Sequence, residues 1–504
     1  MARFSSPEQA KRPWSAACAG LALAALPFST IAAGTAADAA LAQQVQKLLD
    51  RVQQLELRNQ TLERRVEDLS KAAPAANGAA NAAVSHDGGA ESQSSRLQSV
   101  EKQQQQLQQQ GKALARPPEV AEAAEDSGPT FAATLIGAYQ QVNRAGSASG
   151  SSAGRFNFRG DVTASMPAGS IGHARGSVYA QLRFGQGGGV ALKKTHTSTV
   201  NTTTFQAAAG SDETYAIVAQ ADYQLAWALD DGQFNDRATS RVEATLGKLD
   251  FFAFFDQNAV AGDEGAAFLN NVFVHNPMLD SGGDIATDAY GFAPGARVAY
   301  VHEGDRFALG ALAGVFASGD GAKFSASPGR PLLIAQVEVA PKLINGEHRG
   351  NYRAYAWSNG RTTDFNDREQ RHTGFGLSVD QRVGREWNLF GRYGQRTSGH
   401  GPFDRALTGG FEHGGRLWGR GRDAVGVAFG LMSTSRQWSR ATAADAKLTG
   451  FTASGPERVA ELYYRYTLTD KLAITPDFQL VQRPGGDGRA PTALVFGVRA
   501  TLGF

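Results

Sequence analysis

Tyr215-Ala-Ile-Val-Ala-Gln-Ala-Asp-Tyr-Gln-Leu-Ala-Trp-Ala-Leu229 is the stretch on which the fold turns. Tyr215, Ile217, Ala219, Ala221, Tyr223, Leu225, Trp227 and Leu229 share one parity, while Gln220, Asp222 and Gln224 fall on the other. Successive side chains of a strand point to opposite faces, so this reads as a β-strand with one apolar face.

The same rhythm recurs on both sides of it. Phe156, Phe158, Val162 and Ala164 alternate with Arg155, Asn157, Arg159, Asp161 and Thr163. Val178, Ala180, Leu182 and Phe184 alternate with Arg175, Ser177, Tyr179, Gln181 and Arg183. Further on, Trp387, Leu389 and Tyr393 oppose Asn388, Arg392 and Arg396, and Leu462, Tyr464 and Tyr466 oppose Glu461, Tyr463 and Arg465. The chain closes with Leu494, Phe496, Val498, Ala500, Leu502 and Phe504 against Arg499 and Thr501. About fifteen such runs suggest an even total near sixteen, as in bacterial outer-membrane barrels. Connections alternate between short ones, such as 466–471, and long Gly/Ser/Asp-rich ones, such as 185–212. That pattern suits a transmembrane barrel better than a secreted β-sandwich, whose turns come at regular spacing. An Arg on the lipid face near the bilayer midplane costs about 2–4 kcal/mol, so Arg155, Arg159, Arg175, Arg183 and Arg392 are expected to face a wet lumen.

The whole chain has 504 residues, 42% hydrophobic and 19% charged, with 59 Gly and a net charge of +2. This balance provides no basic field for nucleic acid. Beyond the N-terminus no run of 18 apolar residues occurs, which excludes a helical membrane bundle but not a barrel. Residues 1–37 read as an export signal: Lys11 and Arg12 precede an apolar run from Ala16 to Leu26, followed by small residues suited to cleavage. The single cysteine, Cys18, lies inside it, so the exported chain is expected to lack disulfides, thiol nucleophiles and Cys-based metal sites.

Residues 38–71 change period. Leu41, Leu48, Leu55, Leu62 and Leu69 repeat every seven residues, with Val45, Val52, Asn59 and Val66 between them, a d/a seam expected to form a parallel coiled coil. Val at a with Leu at d favours two strands, and Asn59 fixes register. Residues 72–129, rich in Ala, Gly, Ser, Gln and Pro, read as a flexible linker with a weak second seam at Leu97, Val100, Leu107 and Leu114. Residues 130–504 are the barrel.

Between 131 and 504 there are 30 Arg and 7 Lys against 34 Asp and Glu, a surplus of three positive charges. Selection by charge sign alone is therefore not expected. The preference for Arg over Lys points to paired hydrogen bonding with hydroxyls and stacking on rings. Lumen candidates are Arg155, Arg159, Asp161, Arg175, Tyr179, Arg183, Asp222, Arg392, Arg396, Tyr463 and Arg465, with Tyr355 or Trp357 as added aromatic faces. Such a lining suits neutral polyols and equally a general diffusion pore. From 251 to about 280 the strand rhythm fails. Asp256, Asn258, Asp263, Glu264 and Asn270 mix there with Phe251, Phe252, Phe254, Phe255, Phe268 and Phe273. So aromatic a loop is expected to fold into the barrel and narrow it, with packing on the rim as the alternative.

GKLDFFAFFDQNAVAGDEGAAFLNNVFVHNP (Gly247–Pro277) resembles the signature region of the OprB-type carbohydrate-selective porins, as do Glu461-Leu-Tyr-Tyr-Arg-Tyr466, Leu472-Ala-Ile-Thr-Pro-Asp-Phe-Gln479 and the terminal Phe504. These motifs span about 240–504. The resemblance implies an outer-membrane barrel of about sixteen strands passing glucose and similar sugars, monosaccharides or small oligosaccharides, through a charged and aromatic constriction. The coiled coil departs from that pattern and is similar to the helical extension of the sucrose porins. This implies a periplasmic location and a homotrimer in place of a dimer. Two roles are open to the extension: a contact with the cell wall, or presentation of sugar to a periplasmic binding protein. Among other classes, an envelope tether competes with the channel. An enzyme does not: His173, His275, His302, His372, His400 and His413 are scattered, with no nucleophile elbow, metal-ligand spacing or cofactor motif.

Overall fold

The computed structural model describes residues 128–504 apart from 198, 205–212, 231–238, 280–290, 319–328, 343–349 and 367. The signal, heptad and linker expectations at 1–127 lie outside the described residues. Sixteen antiparallel strands close into one barrel, β1 pairing with β16. They are β1 (Thr130–Val142), β2 (Ala153–Ile171), β3 (Ala174–Gln186), β4 (Tyr215–Ala228), β5 (Ser240–Asp250), β6 (Phe292–Glu303), β7 (Phe307–Phe316) and β8 (Leu332–Pro341). The second half comprises β9 (Gly350–Thr363), β10 (Glu369–Val383), β11 (Trp387–Ser398), β12 (Phe403–Gly414), β13 (Ala424–Thr434), β14 (Glu457–Thr467), β15 (Leu472–Gln482) and β16 (Ala493–Gly503). Closure leaves no unpaired sheet edge, the condition for strands to cross a bilayer.

Two rims follow from the strand order. One carries the start of β1 and the end of β16 and is otherwise built mainly of shorter turns. The other carries connections that we label L1 (143–152), L2 (187–214), L3 (251–291), L4 (317–331), L5 (364–368), L6 (399–402), L7 (435–456) and L8 (483–492). The outer wall is apolar, with Phe156, Leu182, Leu246, Val298, Val337, Phe375, Leu407, Phe429, Leu462 and Phe496 exposed on it. Gln140, Asn157, Gln181, Gln224, Thr245, Gln336, Arg353, Asp380, Gln479 and Arg499 are buried facing the interior. Such apolar exposure with polar burial is the reverse of a soluble protein and matches a lipid-facing wall.

The opening stretch needs one correction. From Gln220 onward its parity is as expected, but Gln181 pairs with Gln220 and Leu182 with Val218, leaving Ala219 as an extra residue. Ala219 is fully buried and Val218 is 56% exposed, so the faces exchange at this bulge, and Tyr215 and Ile217 do not share the lipid face of Tyr223 and Leu225. The bulge brings Gln220 against Gln181, to which its Nε2 donates at 2.6 Å. Gln220 Oε1 in turn accepts from the Asp250 backbone N–H at 3.2 Å, where L3 leaves the wall.

Candidate functional site

L3 turns inward at once. The Asp250 carboxylate accepts from the Phe252 N–H at 2.9 Å and starts a short 3₁₀ turn, Phe251–Ala253. Phe251 and Phe255 then pack against Phe316 of β7, with ring centroids 5.1 and 6.0 Å away. Asp256 follows with φ of 55°, a left-handed conformation that Asp tolerates better than most residues. Its side chain and that of Arg392 on β11 are both 0% exposed and lie 3.2 Å apart. Arg392 also donates to the Phe273 carbonyl at 2.5 Å, the Asp256 carbonyl at 3.2 Å and the Ala261 carbonyl at 3.3 Å. One guanidinium thus holds three separated points of the loop. Asp256 further accepts from the Tyr355 hydroxyl at 2.7 Å and the Asn276 N–H at 2.6 Å, which leaves its charge well compensated.

The far side of the loop is pinned to β14, β16 and β2. The Glu461 carboxylate accepts from the N–H groups of Leu269 and Asn270 at 2.6 and 2.9 Å. This precedes the single turn α1 (Asn271–Val274), capped by Asn270 at the Val272 N–H. Arg465 donates to the Ala266 carbonyl at 2.8 Å and Arg499 to the Glu264 carbonyl at 2.7 Å. Phe268 packs against Phe273, Phe390 and Tyr463 with centroids 5.0–5.6 Å apart. Glycines on the inner wall make room: a Cβ on Gly430 would lie 2.8 Å from Val272, and one on Gly394 2.7 Å from Met278.

L2 also enters the barrel. The Val200 carbonyl accepts from the side-chain amides of Gln140 and Gln479, both at 2.8 Å, and Thr199 and Thr202 pair with the backbone of Asn271 and Leu269. The His196 N–H donates to Glu457 and its Nε2 lies 2.7 Å from the Thr434 hydroxyl. Burial lowers the His196 pKa to about 4.

The side of L3 turned from the wall contributes half-buried Phe252, Asp263, Glu264 and His275. Phe252 and His275 stack face to face with centroids 3.6 Å apart. Across from them, Asp161 on β2 takes hydrogen bonds from Arg183 and Gln181 on β3, both at 2.7 Å. Arg159 bridges the two sides, 3.2 Å from Asp161 and 2.9 Å from Glu264. Burial alone would raise the Glu264 carboxyl, but Arg159, His275 and Arg183 outweigh it and hold it below the usual carboxylate range. Asp263 is pushed up, first by burial and then by the Glu264 charge. The result is a chain of alternating fixed charges, Arg183–Asp161–Arg159–Glu264, beside an aromatic face, with donors and acceptors for hydroxyl groups.

The family model for the carbohydrate-selective porins of the OprB family matches residues 44–504. The chain belongs to this family. The match is wider than the motifs at 240–504 and takes in most of the heptad stretch. A high-pH structure of Pseudomonas putida OprB is similar, with 18% identity and a TM-score of 0.56 over 75% of this chain and 94% of that one, a likeness of fold. The outer-membrane channel DcaP of Acinetobacter baumannii aligns at 11% identity and a TM-score of 0.44, over 75% and 99% of the two chains. A mutant Rh. blastica porin aligns at 8% and 0.42, over 75% and 100%. No curated protein matches. The fold and the family together make this a porin of the outer membrane, a passive channel for carbohydrates.

Within this porin the expected site residues divide. Arg159, Asp161, Tyr179, Arg183, Asp263 and Glu264 come together at the narrowing, and Arg465 stands beside Glu412 at 2.9 Å. Arg155 is exposed near the loop rim, and Arg175 lies by the turn between β2 and β3. Others are corrected. Arg392 and Arg396 have the inward parity expected of them, but both are buried: Arg392 lies under L3, and Arg396 donates to the Phe403 carbonyl at 2.7 Å. Tyr463 is covered by Phe268, whereas Asp222, 8% exposed against 6% for Arg159, keeps its inward position as the cross-strand partner of Tyr179. Of the loop candidates, Asp256, Asn258 and Asn270 turn into the wall. Asn258, for example, donates to the Val379 carbonyl at 3.0 Å and accepts from Val260 and Ala261. Residues missed from sequence are the anchors Glu461 and Arg499 and the wall network Glu243–Arg297 and Arg353–Asp380. Their charges on inward parity were the available signal.

Proposed function

We propose that the opening between L3 and strands β2–β3 is a selectivity filter for monosaccharides and small oligosaccharides, with the long-loop rim outside the cell and the chain ends in the periplasm. The observation that carries this reading is the charge set Arg159, Asp161, Arg183 and Glu264 beside the stacked Phe252–His275 pair. A sugar presents hydroxyls around its edge and C–H groups on its faces, so charged groups of both signs bind the edge and an aromatic ring takes a face. Paired opposite charges favour neither anions nor cations. Liposome swelling tests it: glucose and arabinose enter faster than an uncharged non-sugar of equal size, and sucrose gives the size limit. Equal rates for all would reduce the channel to a general diffusion pore.

The heptads at 38–71 are assigned to a periplasmic homotrimeric coiled coil. Deleting 38–71 is expected to lower the mass of the purified oligomer in detergent from three chains to one. An unchanged mass would place the contacts between chains in the barrel instead.

A further inference from the structure

Strands that begin at the long-loop rim differ in whether the outward-facing residues at their start include an arginine. β2, β4, β6, β8 and β16 place Gly154, Ala216, Pro294, Leu333 and Leu494 there, all uncharged. β10, β12 and β14, alternate strands of one sector, place Arg371, Arg405 and Arg458 there, each the second or third residue of its strand and each exposed, with the acid Glu369 preceding Arg371 on the same parity of β10. Their outward direction follows from the neighbours. Arg371 Nε donates to the Ser358 hydroxyl on the outer face at 2.9 Å. Arg405 precedes Leu407, and Arg458 precedes Leu462, both exposed on the same parity. Adjacent strands lie about 4.8 Å apart, so the three guanidinium groups recur roughly every 10 Å around the wall. The arginine side chains stand at the upper border of the apolar band, where a long cationic side chain reaches the lipid headgroup layer.

Helix α2 (Arg436–Ala444) stands above the same sector, its cap Ser435 donating to the Gly401 carbonyl in L6 at 2.6 Å. It buries Trp438 and Thr442 and exposes Arg436 and Arg440, one turn apart on one face. Among the described residues, few acids lie near these arginines. Asp404 lies 3.3 Å from Arg405, and Glu369 is engaged by Arg330 at 2.7 Å and Arg361 at 3.7 Å. The Arg405 side chain is still 56% exposed.

We infer that Arg371, Arg405 and Arg458, with Arg436 and Arg440 above them, form a docking surface on the outside of the barrel for a phosphorylated membrane lipid. Planar guanidinium groups match phosphate oxygens in paired hydrogen bonds, and the apolar wall below receives the acyl chains. This surface is separate from the sugar path, so it stands or falls independently of the filter.

The test uses the full-length protein in neutral detergent and diphosphorylated lipid A as probe, with binding read by native mass spectrometry. Saturable binding is expected, at least tenfold weaker for lipid A stripped of its phosphates and for R371Q/R405Q/R458Q. Glucose-driven swelling rates are expected to be unchanged. Equal binding of the two lipids, which needs no variant, would overturn the proposal, as would a folded triple variant that binds like the parent. Inorganic phosphate at the lipid's concentration is expected not to displace it; full displacement would make this a free-phosphate site and overturn the lipid reading. Should the triple variant fail to fold, R405Q alone, expected to weaken binding about threefold, replaces it.

Discussion

Substituting Arg392→Met removes the one side chain that grips L3 at three points while keeping its length and apolar stem. Four hydrogen bonds disappear, and Asp256, fully buried, keeps only Tyr355 and the Asn276 N–H. Removing one partner of a buried pair costs about 3–5 kcal/mol, because the remaining charge is left uncompensated. At about 1.4 kcal/mol per factor of ten, the equilibrium for lifting this part of the loop off the wall shifts roughly a thousandfold. The loop keeps its anchors at Glu461, Arg465 and Arg499, so it is expected to lift locally and intermittently. In planar-bilayer recordings R392M should therefore show excess current noise and a larger mean conductance. R392M/D256N should recover part of the loss, because the uncompensated charge is gone. Single-channel traces of R392M indistinguishable from the parent would show that the clamp does not hold the constriction.

Two further expectations follow from the same geometry. Gly430→Val places side-chain carbon where the nearest atom of Val272 is 2.8 Å from the Cβ position, so α1 must move off β13 toward the opening and conductance should fall with the barrel still folded; unchanged conductance would mean the loop adjusts in place. Asp263 takes up its proton above the usual carboxylate range, through burial and the Glu264 charge, whereas Glu264 stays ionised to lower pH. As pH falls from 7 the opening loses a negative charge at Asp263 first, so reversal potentials in a KCl gradient should move toward anion preference. Asp263→Asn should start at that shifted value and remove this step, and a pH response identical to the parent would refute the assignment.

The barrel was legible because lipid enforces a two-residue rhythm along every strand, and the rhythm failed at bulges such as the one at Ala219, where an inserted residue keeps composition unchanged while exchanging the faces. L3 announced itself by its aromatic density, since so many Phe side chains must find cover. The direction of its polar residues was not legible: Asp256, Asn258 and Asn270 satisfy wall groups that only the closed barrel brings near. Arg392 illustrates the limit of parity, which states which face a side chain is on and not what later covers it. L2 gave still less signal. Its Thr- and Ser-rich sequence is that of a solvated loop, and it is held through its own backbone, at the Val200 carbonyl, by Gln140 and Gln479. Where a loop is bound through its backbone, the recognisable residues sit on the receiving strands, so inward amides and carboxylates such as Gln140, Glu461 and Gln479 are the place to seek inserted loops from sequence. Inward glycines such as Gly394 and Gly430 complete that signal, because a barrel wall gives up side-chain volume only where something else fills it.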